Sequence, residues 1–300
     1  MTDVYPSRTG TEAPRPVARR DPVPWCSVAA PRSGPLTRTE LASFAEDGFL
    51  VFENLFSDEE VASLMERVEA LLARGADDDA PEIVRERGGD RIRSLFAVHR
   101  SDDLFAELAR DRRIVSRVEQ LLDSRAYIHQ SRVNLKPAFD GREFDWHSDF
   151  ETWHVEDGMP RMRAVSCSIA LTGNEAHNGP LLLMPGSHHQ FVACPGATPE
   201  RHYETSLRRQ EYGVPDRGSL TRLARKGIFA FTGRPGSFVL FECNVMHGSN
   251  GNITPTPRTN AFFVYNSVEN RLEAPYSGQA PRPDYLASRD FTPLDEGDEK

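Results

Sequence analysis

The chain has 300 residues, with 36 Lys+Arg against 45 Asp+Glu and a formal net charge of −9, and its mean hydropathy is −0.53. That length suffices for one large domain or two small ones, and the acidic balance argues against a nucleic-acid or anionic-membrane partner. Without an apolar leader, a membrane-length run or a dense cysteine framework (Cys26, Cys167, Cys194 and Cys243 lack metal-type spacing), the expectation is a cytoplasmic protein with reduced thiols.

Residues 1–35 are rich in Pro and Arg without periodicity and read as a flexible arm. Order is expected from Leu36, where Thr37 and Glu40 form a capping box and Leu36 and Leu41 a hydrophobic staple. The same device at Ser57 and Glu60 opens a stronger amphipathic helix, with Val61, Leu64, Met65, Val68, Leu71 and Leu72 on one stripe and Gly75 as its stop. A third helix is predicted over about 111–122 through Ile114, Val115, Val118, Leu121 and Leu122. From about residue 126 the pattern turns to strands separated by Gly, Pro, Asn and Asp, at 127–136, 144–150, 162–171, 180–184, 237–243 and 260–267. Residues 196–227, charged and interrupted by Gly and Pro, read as a mobile surface loop. Short strands with long connections predict an α+β protein: a double-stranded β-helix (jelly-roll or cupin-like) core flanked by N-terminal helices, with residues 36–300 as one domain.

Two strands have unusual faces. In 127–136, Gln130, Arg132, Asn134 and Lys136 share one face, which is either solvated or lines a cavity for polar ligands. Lys136 is one of only three lysines in the chain. The next strand presents Ala164, Ser166, Ser168 and Ala170, small enough to leave space above a bound group.

The candidate chemistry lies in Phe144-Asp145-Trp146-His147-Ser148-Asp149-Phe150. On an extended strand His147 and Asp149 share a face and can take adjacent positions on one metal ion. Such H-x-[DE] pairs are common: with 9 His and 45 Asp+Glu, His154/Glu156 and His202/Glu204 also match. Context separates them. His202/Glu204 lies in a charged stretch and His154/Glu156 leads into a turn, whereas His147/Asp149 lies among aromatics that exclude water. The competing reading is a core histidine beside a capping aspartate. His247 is the best third ligand, and two His with one carboxylate leave three positions open, the arrangement of non-haem Fe(II) oxygenases. Arg258, shortly after His247 and just before an apolar run, is placed to hold the far carboxylate of a metal-bound 2-oxo acid.

Residues 144–166 resemble the signature of ectoine hydroxylases, members of the phytanoyl-CoA-dioxygenase-like branch of Fe(II)/2-oxoglutarate-dependent oxygenases. The likeness continues through Asn178-Gly179-Pro180, Met184-Pro185-Gly186-Ser187-His188 and Gln210-Glu211-Tyr212-Gly213-Val214-Pro215, covering roughly residues 36–285. It implies His147, Asp149 and His247 as iron ligands, Lys136 and Arg258 as contacts to 2-oxoglutarate, and Gln130 as a contact to ectoine. Trp153 and Asn260 are implied as further pocket residues; His154, His188 and His189 are read as structural. The implied reaction converts ectoine to 5-hydroxyectoine with O2 and 2-oxoglutarate, giving succinate and CO2, in compatible-solute production under osmotic and heat stress. A homodimer is implied as well. Two alternatives stand beside this: a related oxygenase for another small polar substrate, and a metal-binding jelly-roll sensor without turnover.

Overall fold

Helix Arg38–Asp47 begins where Thr37 accepts the Glu40 N–H and the Glu40 carboxylate takes the Thr37 N–H, and Ser57 and Glu60 repeat the exchange at the start of helix Asp58–Gly75. Both capping boxes therefore form as the local sequence dictates. In the computed structural model the described residues are 4–6, 8, 15–76, 78–86, 89–207 and 212–294; Gln210 and Glu211 of the family-like stretch lie outside them. The third helix spans Arg112–Leu122, and it buries Ile114, Val115, Val118, Leu121 and Leu122. Gly75 is the last residue of its helix rather than a cap beyond it.

The strands in chain order are β1 (Arg15–Ala18), β2 (Phe49–Phe52), β3 (Ile83–Arg85), β4 (Ile92–Phe96), β5 (Ala126–Lys136), β6 (Phe144–His147) and β7 (Ala164–Ala170). They continue as β8 (Leu181–Leu183), β9 (Gln190–Ala193), β10 (Phe229–Ala230), β11 (Phe238–Glu242), β12 (His247–Ser249) and β13 (Arg258–Ser267). A large sheet has the order β2-β11-β7-β13-β5-β4-β3 and a smaller one β10-β8-β12-β6, every pairing in both being antiparallel. Alternation along the large sheet divides its two faces. Val133, Cys167, Ile169, Leu240, Ala261 and Phe263 join the helices in one apolar core. The opposite face packs in part against the small sheet, where Ala170, Val239, Phe241 and Phe262 meet Leu181 and Leu183. This is the jelly-roll architecture expected from the strand pattern.

Four expectations are corrected. The described part of residues 1–35 is built into the domain: β1 pairs with β9, Tyr5 is fully buried, and the Arg8 side chain is 0% exposed. A Pro/Arg-rich stretch lacks a core of its own, but it borrows one through a sheet edge and buried carboxylates. The strand predicted over 144–150 stops at His147, and a short helix, Asp149–Thr152, follows. Residues 196–227 hold the helices Tyr203–Ser206 and Arg217–Leu223, and His202, read as part of a surface stretch, is buried. Strands β2, β3 and β4 were absent from the sequence reading; each is short and acquires its identity from its neighbour in the sheet.

Candidate metal centre and active site

Register brings the two histidines together. Within the small sheet His247 pairs directly with His147, and their rings lie 4.2 Å apart, centroid to centroid. Asp149 joins them by a different route from the one predicted, because it does not share a strand face with His147. It is the first residue of the short helix after Ser148. Two long-range bonds set that break: Ser148 Oγ donates to Asn244 Oδ1 at 2.8 Å, and the Phe150 N–H donates to the Cys243 carbonyl at 2.9 Å. Both partners lie in the loop that leads into His247, so the three side chains are positioned as one unit.

The ligand atoms of His147, Asp149 and His247 all lie within 4.8 Å of one another. His147 Nε2 is 3.6 Å from Asp149 Oδ1, and His247 Nε2 is 3.7 Å from Asp149 Oδ2. Each Nδ1 faces a backbone carbonyl, of Asp145 at 2.8 Å and of Val245 at 3.0 Å. Donation from Nδ1 fixes the tautomer and leaves Nε2 as the free lone pair, the usual arrangement of a metal-ligating histidine. Burial, and then the neighbouring His147, pull His247 down to about 4, so its imidazole is neutral at physiological pH. Burial opposes the Asp149 carboxylate, but His247 and His147 together hold it well below the usual carboxylate range. Two imidazoles and one carboxylate, all under 9% exposed, fit a divalent ion of the non-haem iron type.

The cavity above this cluster is lined by the whole polar face of β5: Gln130, Arg132, Asn134 and Lys136. Arg258 is paired in register with Lys136, and Phe262 with Arg132. Cations directly opposite each other repel, and ion pairs among the described residues include none for Arg132, Lys136 or Arg258. Burial, then Arg258 and Arg93, push Lys136 down to about 6; burial and Arg93 pull Arg258 to about 9, leaving it charged at neutral pH. Among the described residues Asp149 is the one carboxylate in the lining. With its charge directed to a metal, the remaining field favours anionic ligands. Gly179, at φ 77°, explains the Asn178-Gly179-Pro180 motif: a Cβ there would come within 2.8 Å of Lys136 Cδ and 2.6 Å of the Asn250 carbonyl. Only glycine lets the lysine stem pass.

Gln130 is held at both ends, its amide donating to the Leu286 carbonyl at 2.7 Å and its Oε1 accepting from Arg132. Trp153 is 3% exposed and lines the same cavity. Asn260 is buried but does not line it; its amide donates to Ser168 Oγ at 3.1 Å behind the wall. Arg132 lies in the lining with the rest of the polar face of β5, as one of the two readings of that face expected. Sequence reading missed Arg93 and Arg282, which were indistinguishable from surface arginines.

Among the described residues the other H-x-[DE] pairs do not form a metal site. His154 Nδ1 meets the Met159 carbonyl at 2.8 Å and Nε2 the Tyr5 carbonyl at 3.1 Å, so neither nitrogen is turned to a metal. His154→Ala is therefore expected to retain bound iron at the wild-type stoichiometry, measured by metal analysis after desalting; loss of the metal would reopen that pair as the ligand set. His188 bonds the Ala45 carbonyl through Nε2 at 3.1 Å and is structural.

The profile of the phytanoyl-CoA dioxygenase (PhyH) family matches residues 44–260. The ectoine dioxygenase of Sphingopyxis alaskensis is 53% identical over 294 residues, covering 96% of this chain and 94% of the relative. That of Stutzerimonas stutzeri is 51% identical, covering 98% and 97%. Among solved structures, EctD from S. alaskensis with 2-oxoglutarate and 5-hydroxyectoine superposes with a TM-score of 0.86 at 48% identity, covering 96% and 95%. The same enzyme with bound Fe gives 0.85 at 47%, covering 98% and 97%. With the profile spanning most of the chain and the likeness running nearly end to end, the chain belongs to the phytanoyl-CoA dioxygenase family and, within it, to the ectoine dioxygenases.

Proposed function

We propose that this protein is an Fe(II)- and 2-oxoglutarate-dependent ectoine dioxygenase, converting ectoine to 5-hydroxyectoine with release of succinate and CO2. The observation that carries the reading is the convergence of His147, Asp149 and His247 in a cavity whose other charged residues, among those described, are Lys and Arg. The ferrous ion and 2-oxoglutarate supply O2 activation and C–H hydroxylation when bound; the protein supplies binding, orientation and exclusion of water. His147, Asp149 and His247 hold the metal on one side and leave the other open to ligands. Arg258 and Lys136, paired in register, take the carboxylate of 2-oxoglutarate that points away from the metal. Gln130 hydrogen-bonds ectoine, its Oε1 keeping a second lone pair beside the Arg132 bond. Trp153 offers an aromatic face to the delocalised amidinium, and Arg132, lacking a carboxylate of its own, suits the ectoine carboxylate. Asn260 supports this wall through Ser168. Phe144, Trp153 and Phe262 keep the reacting centre dry.

The test is succinate release by the purified protein supplied with Fe(II), 2-oxoglutarate and O2, with and without ectoine. Ectoine-dependent release matched by 5-hydroxyectoine is expected. Release only with another small polar substrate would favour the related-oxygenase reading, and metal binding without turnover of any candidate would favour the sensor. We further propose a homodimer acting in the cytoplasm in compatible-solute synthesis. Four buried free cysteines support that compartment, and no helix among the described residues is long and apolar enough to cross a membrane.

A further inference from the structure

Behind the metal centre lies a buried ionic cluster that the reaction itself does not require. Its hub is Arg8, from the segment that composition marks as a linker. Nε and Nη2 of Arg8 make a two-pronged contact with Glu151, at 2.8 and 2.6 Å. Nη1 donates to Glu156 at 2.7 Å and to Thr198 Oγ1 at 2.9 Å, and Nη2 reaches Thr152 Oγ1 at 3.4 Å. The side chains of Arg8, Glu151 and Glu156 are 0%, 2% and 5% exposed.

The two carboxylates bracket a single element. Glu151 lies in the short helix opened by Asp149, and Glu156 lies in the π-helical turn Trp153–Asp157 that continues it. Between them are Thr152 and Trp153, both lining the cavity. A four-residue helix running into a π turn has little stability of its own, so its geometry must come from outside. Tyr5 adds to the clamp, its ring edge-on to Phe150 at 5.2 Å and its carbonyl 3.1 Å from His154 Nε2. The same cluster holds the segment over the cavity: Thr198 is bonded by Arg8, and His202 is 3.5 Å from Glu156. From there the chain runs to Ser206 and Leu207, which line the cavity.

We infer that Arg8 is a positioning residue: by tying Glu151 to Glu156 it sets Asp149 against the two histidines and Thr152 and Trp153 against the substrate. Two carboxylates buried so closely repel unless a fixed cation lies between them. The planar guanidinium provides both the charge and the direction, which a lysine ammonium does not. Without Arg8 the turn relaxes, and the metal ligand and the aromatic wall move together. The cosubstrate contacts on β5 and β13 are on other elements and stay in place. The inference rests on the proposed roles of Asp149 and Trp153.

The test compares Arg8→Met, Arg8→Lys and Glu151→Gln with the wild type in two measurements. The first, independent of turnover, is anaerobic Co(II) titration of the full-length metal-free protein, followed by visible absorption. The second is the steady-state constants for ectoine and for 2-oxoglutarate. Arg8→Met is expected to weaken Co(II) binding about tenfold and lower kcat/KM for ectoine about 100-fold, the scale of a misplacement near 1 Å, with KM for 2-oxoglutarate unchanged. Glu151→Gln should move the same constants in the same direction, which keeps the test valid if Arg8→Met folds poorly. Arg8→Lys should restore less than half of the lost effect on a logarithmic scale. A lower Tm with Co(II) affinity and ectoine constants intact would make Arg8 merely structural and overturn the inference, as would an equal loss for both ligands. Should the wild type itself not turn over ectoine, the functional proposal fails, while the Co(II) titration still decides the placement of Asp149.

Discussion

Alanine at His147, Asp149 or His247 is expected to leave a folded protein that no longer retains iron or hydroxylates ectoine. Each residue is one of three protein donors, and loss even of groups that only orient a ligand typically weakens a metal site 10–100-fold; removing a donor should exceed about 100-fold. The three variants differ in mechanism. His147→Ala and His247→Ala each delete an imidazole whose direction was fixed by a backbone carbonyl. Asp149→Ala deletes the one negative charge among the described lining residues, which also include Arg132, Lys136 and Arg258, so a divalent cation loses its counter-charge and meets repulsion from the arginines. A readout free of turnover is thermal unfolding with and without Fe(II) under argon. A ligand at about 100 times its Kd stabilises the native state by about 2.7 kcal/mol, so the wild type should show a clear metal-dependent rise in Tm and the variants none. An undiminished rise in Asp149→Ala would remove that carboxylate from the metal site. Far-UV circular dichroism should be unchanged, because the triad lies in the small sheet and the short helix after it, outside the helices that precede β5.

What the sequence revealed and what it hid divide along the range of the interactions involved. Thr37/Glu40 and Ser57/Glu60 act over three residues, and both helices start where those pairs place them. The apolar stripe of Arg112–Leu122 and the polar face of β5 are likewise periodic and local. The candidate pair His147 and Asp149 was legible because the two are two residues apart. Their geometry was not, since the break after His147 depends on Asn244 and Cys243, nearly a hundred positions later. The N-terminal segment failed for the same reason: nothing near Arg8 announces Glu151 or Glu156. Short strands such as Ile83–Arg85 carry too few residues to show a period. Arginine abundance hid Arg93 and Arg282, whereas the scarcity of lysine made Lys136 conspicuous.

Affinity for 2-oxoglutarate should fall as pH rises above about 6 and should depend on Lys136 and Arg258 in different ways. In the cavity Lys136 loses its proton near pH 6, because burial and the facing Arg258 and Arg93 disfavour its charge. A bound carboxylate reverses that penalty and raises the lysine again, so binding takes up a proton. The proton-bearing form becomes up to tenfold rarer per pH unit above 6, and the apparent Kd should rise by a comparable slope until the pKa of the bound state is reached. The sign for folding is opposite: the unfolded chain keeps its lysine proton up to the ordinary value of 10.5. Without ligand the protein should therefore gain stability as pH rises from about 6 into the alkaline range. Lys136→Met should flatten the affinity profile, costing much at pH 6 and little at pH 8. Arg258→Ala should raise Kd about 100-fold at pH 6, since truncating one partner of a buried charge pair costs about 2–5 kcal/mol, and should move the start of the slope to higher pH, because Lys136 then loses a cation that faces it. Calorimetric titration of 2-oxoglutarate into the Fe(II)-loaded protein under argon, in buffers of different ionisation enthalpy, measures both Kd and proton uptake. Uptake of no protons at pH 7 would mean that Lys136 is already charged before the ligand arrives, and an unchanged Kd in Arg258→Ala would shift the carboxylate contact to Lys136 alone.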